Sequence, residues 1–582
     1  MEFTDEQKDF LVAEGRIVLH ACPGSGKTAV VAQKLIDCLK SWDRSHQGIA
    51  TLSFTNVASE EIEKQVQKST SGALTINYPH YVGTLDSFIN NFIVLRFGYG
   101  FLSPPQRPKI AVENLYSLPF RFWRSECHRK RCVSNISHFK WDSNGRLFRG
   151  KELIECQSNS QYGRPCHQYK QLLRDKGIVF QNEAAGLACE LLKTNPQIAA
   201  ALAARFPIII VDEAQDTSED QMAVLDLLEQ AGAESVFLVG DPDQAIYEWR
   251  DASPEFFIEK INSEKWKVLQ LTTNFRSSQL ICNATKLFSK SLEGRNASIA
   301  KGVFANDEQK PILLLYDKEN CNAKNILITK YLSLCSDRNI EQSSENVAIV
   351  TRKSVSIGIS DLWKSKEVEL FAKASHEWIL GTRKKAYEFC EKALFSLLLN
   401  DLENIEITIE NEVEKKMPYE SWRLMVLDIL INLPAPTQTL KNWIEQMSEV
   451  LAQYLVSKNL EIRNHRQILD LIKIKTRDQD VPNLQEHLVS DFLKGQVLSN
   501  YTFSSVHGVK GETYSALMLL IEGTTGNTLT PSFLNTGNLD QELMRIAYVA
   551  MSRPRKLLVV AMPNTKKTYA RFPETLWDHM HV

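Results

Sequence analysis

The segment that most constrains this chain is ACPGSGKT, Ala21 to Thr28. A short apolar run, Ile17 to Leu19, leads into it, and an amphipathic stretch, Ala29 to Leu39, follows. A glycine-rich turn between a strand and a helix gathers backbone amides and a positive helix terminus at one point, which is the chemistry of phosphate binding. Gly24 and Gly26 allow the close approach that phosphate oxygens need, with Pro23 and Ser25 completing the loop. Lys27 is spaced to reach β- and γ-phosphates, and Thr28 to offer a hydroxyl to Mg²⁺. The usual pattern opens on Gly where this chain has Ala21.

Further strands read in the same way. Ile49 to Phe54 precedes the helix-prone NVASEEIEKQVQK, and Ser235 to Val239 ends in GDPDQ. PIIIVDEAQD, from Pro207, stays apolar until Asp212, as expected of a strand buried on both faces. Strands alternating with helices predict a doubly wound parallel sheet with its chemistry at the carboxyl ends of the strands. Asp212 and Glu213 stand at such an end. Asp212 suits contact with Mg²⁺, and Glu213 suits positioning and deprotonating an attacking water. With the phosphate loop, the pair reads as nucleoside triphosphate hydrolysis rather than kinase-type transfer.

At 582 residues the chain predicts roughly three to five domains. Its 43% hydrophobic and 24% charged residues are the balance of a globular protein. Sixty-eight basic against 70 acidic side chains, a net charge of -2, exclude a globally basic coat but not a local basic groove. No apolar run approaches the ~18 residues of a membrane helix, Met1 to Phe10 is acidic and amphipathic rather than a secretory signal, and no membrane partner is expected. Eleven scattered cysteines fit a reducing, cytoplasmic setting. Between Phe88 and Pro207, Gly, Pro, Ser, Cys and Arg are frequent and periodicity is weak until Asn182 to Leu192, which reads as an inserted domain. Asp337 to Asn500 is mostly helical in pattern and reads as a second insertion, after which the chain returns to an α/β pattern. No repeat of fixed period is present.

The companions of the phosphate loop resemble the superfamily 1A DNA helicases, the UvrD, PcrA and Rep group, over about Thr4 to Leu280 and Thr502 to Met562. Gln7 matches the glutamine that reads the adenine of ATP. LSFTNVASEEI, Leu52 to Ile62, resembles motif Ia, which implies that Phe54, Thr55 and Asn56 touch single-stranded DNA. VGTLDSF, Val82 to Phe88, resembles motif Ib with Thr84 toward DNA, although Asp86 stands where the family has His. DEAQD is motif II, and GDPDQAIYEWRDA, Gly240 to Ala252, is motif III. There Gln244 would sense the γ-phosphate, while Trp249 and Arg250 would engage a base and the backbone. TTNFRSS is motif IV, with Phe275 in place of the Tyr that stacks on the nucleotide base and Arg276 as the first arginine finger. SVHGVKGET resembles motif V, with His507 and Lys510 near DNA. The family reads KGLE, so the acid falls one place early at Glu512, and either Glu512 or Thr513 would face the γ-phosphate. MRIAYVAMSRPRKLLVV is motif VI, with Arg553 as the second finger.

The resemblance implies an α/β fold of two RecA-like P-loop motor domains, parallel sheets flanked by helices, each with a mainly helical insertion. Motor domain 1A would comprise 1–88 and 207–266 around insertion 1B at 89–206. Domain 2A would comprise 267–336 and 501–582 around insertion 2B at 337–500. It implies ATP and Mg²⁺ as cofactors and 3′ to 5′ movement on single-stranded or partly duplex DNA. Arginines from a second domain stabilise a γ-phosphoryl transition state by ~10³ or more, so ATP would close the cleft and hydrolysis open it. Phe54 and Trp249 would stack bases at ~1–3 kcal/mol each. A KGET-type motif V and a chain that ends soon after Met562 resemble the small helicases paired with a separate nuclease in antiphage systems such as Gabija, and no fused nuclease is expected.

Two features stay outside the resemblance. RFWRSECHRKRC, Arg121 to Cys132, interleaves bases with aromatics and reads either as a grip on phosphates or as a solvated face. Cys127, His128, Cys132, Cys156, Cys166 and His167 read either as zinc ligands or as free thiols, the adjacency of Cys166 and His167 being awkward for one tetrahedral site. A nucleotide-gated sensor or scaffold that switches a partner, a DNA repair helicase and an RNA substrate are the rival readings.

Overall fold

The structure is a computed structural model that describes residues 3–72, 74–102, 107–111, 139–141, 147–149, 152–153, 170–171, 173–248, 252–294, 296–317, 323–352, 363, 365–398, 409–414, 416–457, 484–486, 488–493, 501–523, 528–565 and 569–582. Trp249, Arg250 and the Cys/His group from Cys127 to His167, with the basic stretch around it, lie outside the described residues.

The chain forms two compact units, one of residues 1–112, 135–353 and 504–582, the other of 113–134 and 354–503. The first holds two six-stranded sheets. Its leading sheet contains β1 (Arg16–Ala21), β2 (Ile49–Ser53), β3 (Tyr81–Thr84), β4 (Ile208–Val211), β5 (Ser235–Gly240) and β6 (Lys267–Leu271) in the order β6-β1-β5-β4-β2-β3. All its pairings are parallel. Alternate residues feed opposite cores, Val18, Leu52, Val211 and Leu238 on one face and Leu19, Ile49, Ile210 and Phe237 on the other. Burial on both faces is why these strands are continuous apolar runs rather than alternating ones. The helices Gln181–Thr194 and Pro196–Arg205 pack into the first of these cores through Ala184, Ala188, Leu191 and Leu202.

The second sheet contains β7 (Ile312–Tyr316), β8 (Val347–Thr351), β9 (Thr502–Ser505), β10 (Tyr514–Leu520), β11 (Pro554–Pro563) and β12 (Asp578–His581) in the order β9-β8-β10-β11-β7-β12. Strands β8, β10, β11, β7 and β12 are mutually parallel. A small antiparallel sheet of Phe139–Trp141, Leu147–Arg149 and Glu152–Leu153 lies between β3 and β4 in the chain, a feature that weak periodicity hid from the sequence. The other unit is helical, with Phe371, Leu394, Trp422 and Trp443 in one core. Among the described residues, no helix is long and apolar enough to cross a membrane.

Candidate nucleotide and nucleic-acid site

The loop after β1 reaches helix α2 (Lys27–Lys40) through Gly24 and Gly26, at φ +72° and +79°. That left-handed backbone is open to glycine at little cost and turns the chain directly into the helix. Helix α1 (Asp5–Val12) braces the loop. Thr4 and Gln7 form a capping box, which uses the Gln7 carbonyl oxygen and leaves Nε2 to donate to the Ser25 carbonyl at 3.0 Å. Gln7 is thus tied to the phosphate loop in this state. The Lys27 ammonium is buried and finds no hydrogen-bond partner among the described residues, its nearest carboxylate being Glu213 at 3.8 Å.

Strand β5 separates β1 from β4, so the acids after β4 open beside the loop. Thr28 Oγ1 donates to Asp212 Oδ2 at 3.3 Å. Glu213 adopts φ +56°, a strained left-handed conformation for a side-chain-bearing residue. Its carboxylate accepts from Gln215, whose amide also donates to Asp216 and accepts from the Asp241 amide at 3.0 Å. Burial first and the Glu213 charge second push Asp212 up to about 7, against the pull of Lys27. Burial also works upward on Glu213, but Lys27, Lys510, the Gln215 amide and Arg553 outweigh it and hold Glu213 down to about 2. Two hard oxygen donors, the Thr28 hydroxyl and the Asp212 carboxylate, fit a divalent cation that takes its remaining ligands from phosphate and water.

The second lobe closes over this cleft. Asn274 Nδ2 donates to the Pro23 carbonyl at 2.8 Å, and the Phe275 amide to the Gly24 carbonyl at 2.9 Å. Phe275 keeps 37% of its surface exposed. Arg276 Nη1 donates to the Ser552 carbonyl at 3.0 Å, and Arg553 Nη2 to Gln244 Oε1 at 2.6 Å. Burial, then the neighbouring charges of Arg553 and Arg555, lower Arg276 well below its usual range. Like charges crowded in a buried cleft are relieved by an anion between them. Glu512 is exposed, and its charge is felt at Arg553.

On the far side of Gln244, Tyr247 is the centre of an aromatic cluster. Its ring lies 4.8 Å from that of Phe54 and 5.7 Å from that of His507. His507 Nε2 meets the Ile246 carbonyl at 2.9 Å. Lys510 is paired with Asp216, donates to the Gln244 carbonyl at 2.9 Å and stands 4.6 Å from the Tyr247 ring. Its ammonium is thereby engaged by protein groups of the other lobe. Thr55 caps helix α3 (Asn56–Ser69), leaving Asn56 exposed at its start, and Thr84 caps the next short helix. Asp86, in the place of the family His, accepts from Gln221 at 2.6 Å.

The family described as UvrD/REP helicase N-terminal domain matches residues 3–265. The chain is 24% identical to the ATP-dependent DNA helicase Rep of Buchnera aphidicola subsp. Schizaphis graminum (strain Sg) over 652 residues, which take in 98% of this chain and 94% of that one. It is 23% identical to the ATP-dependent DNA helicase Rep of Buchnera aphidicola subsp. Acyrthosiphon pisum (strain APS) over 636 residues, 97% of this chain and 95% of that one. It is 29% identical to the Gabija protein GajB of Bacillus cereus (strain VD045) over 277 residues, 47% of each chain.

In this helicase fold the cleft gathers Lys27, Thr28, Asp212, Glu213, Gln244, Arg276 and Arg553, and the opposite face gathers Phe54, Tyr247 and His507. Sequence reasoning passed over Tyr247 for its neighbour Trp249. Tyr247 stands three residues after Gln244, and that spacing was the available signal. Among the described residues, no group of three or more His, Cys, Asp or Glu is arranged to hold a metal ion.

Proposed function

We propose that the chain is an ATP-dependent DNA helicase or translocase that steps 3′ to 5′ along single-stranded DNA. The observation that carries this reading is the buried Lys27 ammonium, which has no hydrogen-bond partner among the described residues, in a cleft where a half-buried Arg276 stands beside the buried Arg553. A triphosphate neutralises all three. Backbone amides of Gly24 to Gly26 would cradle the phosphates, Lys27 would contact the β- and γ-oxygens, and Phe275 would stack on the base, with Gln7 free to read adenine once it leaves Ser25. Thr28 and Asp212 would hold Mg²⁺, which would supply neutralisation of charge on the phosphate oxygens.

Glu213, held down to about 2, stays ionised and acts first as an acceptor that orients the attacking water. Gln244 reports the γ-phosphate to Arg553 through the bond they share. Arg276 and Arg553 favour the closed cleft while the γ-phosphate is present, and its loss removes that preference. Phe54, Tyr247 and His507, with Thr55, Asn56 and Thr84, would form the strand-binding face, and by resemblance Trp249 and Arg250 would engage a base and the backbone. Lys510 links that face to Asp216 of motif II. In this scheme the first motor domain carries β1 to β6 and so reaches Leu271, and the second carries β7 to β12 and so takes in Val347–Thr351, which the sequence had placed in the second insertion.

The likeness to GajB supports a narrower proposal, that this motor acts in antiphage defence with a separate nuclease. ATP hydrolysis with and without single-stranded DNA tests the main reading. Stimulation by DNA supports it. An ATPase indifferent to DNA favours a nucleotide-gated switch instead. Co-purification from the native host tests the partner.

A further inference from the structure

The helix Glu542–Met551 presents Arg553 just beyond its last turn, and its first turn makes a second hold on the same segment of the other lobe. Arg545 is 6% exposed. Its Nε donates to the Ala245 carbonyl at 2.7 Å, its Nη1 to the Asp540 carbonyl at 2.5 Å, and its Nη2 is paired with Glu248. Glu542 Oε1 accepts from the Glu248 amide at 2.9 Å. One planar fork and one carboxylate therefore fix the backbone on both sides of Tyr247 together with the Glu248 side chain. At the other end of the segment, Arg553 fixes Gln244. A stretch gripped at both ends by one helix carries Tyr247 with it whenever that helix moves.

We propose that Arg545, Glu248 and Glu542 form a latch that makes Tyr247 and the helix bearing Arg553 move as one body. The proposal rests on the reading of the chain as a DNA-stimulated ATPase. These are positioning residues, since they act on Tyr247 and Gln244 through the backbone and contact no substrate themselves. A helix that closes toward a triphosphate then draws the stacking face with it. The latch converts nucleotide state into grip on a base without a separate messenger.

The test is ATP hydrolysis by the full chain, titrated with oligothymidylate, in the wild type, Glu248→Gln, Glu248→Asp and Arg545→Lys. Glu248 is half exposed, and its DNA-free rate in Glu248→Gln should stay within about twofold of wild type, as for most surface changes. The oligothymidylate concentration for half-maximal stimulation should rise about tenfold, the size expected for losing one charged hydrogen bond across the cleft. Glu248→Asp should recover part of that loss, and Arg545→Lys, which keeps charge but loses the fork, should resemble Glu248→Gln. If Arg545→Lys fails to fold in a melting experiment, the Glu248 pair decides alone. An unchanged DNA dependence in Glu248→Gln overturns the latch, as does an equal fall in DNA-free and DNA-stimulated rates. A wild type that oligothymidylate does not stimulate overturns the functional reading itself.

Discussion

Gly24→Ala is the change whose cost the geometry states most fully. At φ +72° an alanine costs about 1–2 kcal/mol for the left-handed backbone in the folded protein, whether the cleft is open or closed. The new Cβ would also lie 2.7 Å from Arg276 Cβ and 2.9 Å from Asn274 Oδ1, both contacts with the closing segment. Drawing that segment back breaks the Phe275 bond to Gly24 and the Asn274 bond to Pro23. At about 0.5–1.5 kcal/mol each, these come to about 1–3 kcal/mol charged to the closed cleft alone. The maximal hydrolysis rate should fall roughly 5- to 150-fold. The backbone term alone should lower the melting temperature by about 2–8 °C. Steady-state hydrolysis and thermal melting, each with and without nucleotide, separate the two terms. A variant that melts lower yet hydrolyses at the wild-type rate would refute the idea that the closed contact belongs to the working cycle.

Arg553→Ala removes the bond to Gln244 and one transition-state cation, so kcat should drop by about 10³ with little change in nucleotide KM, as steady-state kinetics will read. Tyr247→Ala should weaken binding of single-stranded DNA by about 1–3 kcal/mol whatever its sequence, measured by fluorescence anisotropy with several homopolymers. Asp212 titrates in the unfolded chain near 3.8 and in the folded nucleotide-free protein at about 7, so the folded state binds more protons between these values. Its contribution to stability should therefore fall as pH rises through that window. Asp212→Asn should remove this slope in urea unfolding at a series of pH values, and an unchanged slope would show that Asp212 is ionised in the folded state.

The phosphate loop, the strand ends and the order of the motifs were legible because each is local. Ile17 to Leu19, the glycines and Lys27 declare a strand, a turn and a helix within a dozen residues. Strand β4 declared its two-sided burial by the run Ile208–Val211. What lay beyond reach needs the second lobe in place. Lys510 reads as a DNA-facing cation in isolation, and only the fold brings Asp216 and the Gln244 carbonyl to it. The adenine-reading role of Gln7 was a resemblance, while its bond to Ser25 depends on how α1 lies against the loop. Arg545 and Glu248 are nearly 300 positions apart, and no spacing rule connects them. The helices from Gln181 to Arg205 looked like part of an insertion because the surrounding composition is irregular, yet their alanine- and leucine-rich faces pack into the first sheet's core.

In the proposed cycle, hydrolysis in the cleft moves the chain along one strand in one direction. Unwinding of duplexes that carry a single-stranded tail at either the 3′ or the 5′ end measures this directly. ATP-dependent strand separation is expected on the 3′-tailed duplex, little on the 5′-tailed one, and none by Lys27→Ala. Separation that ignores the tail, or that Lys27→Ala retains, would contradict it.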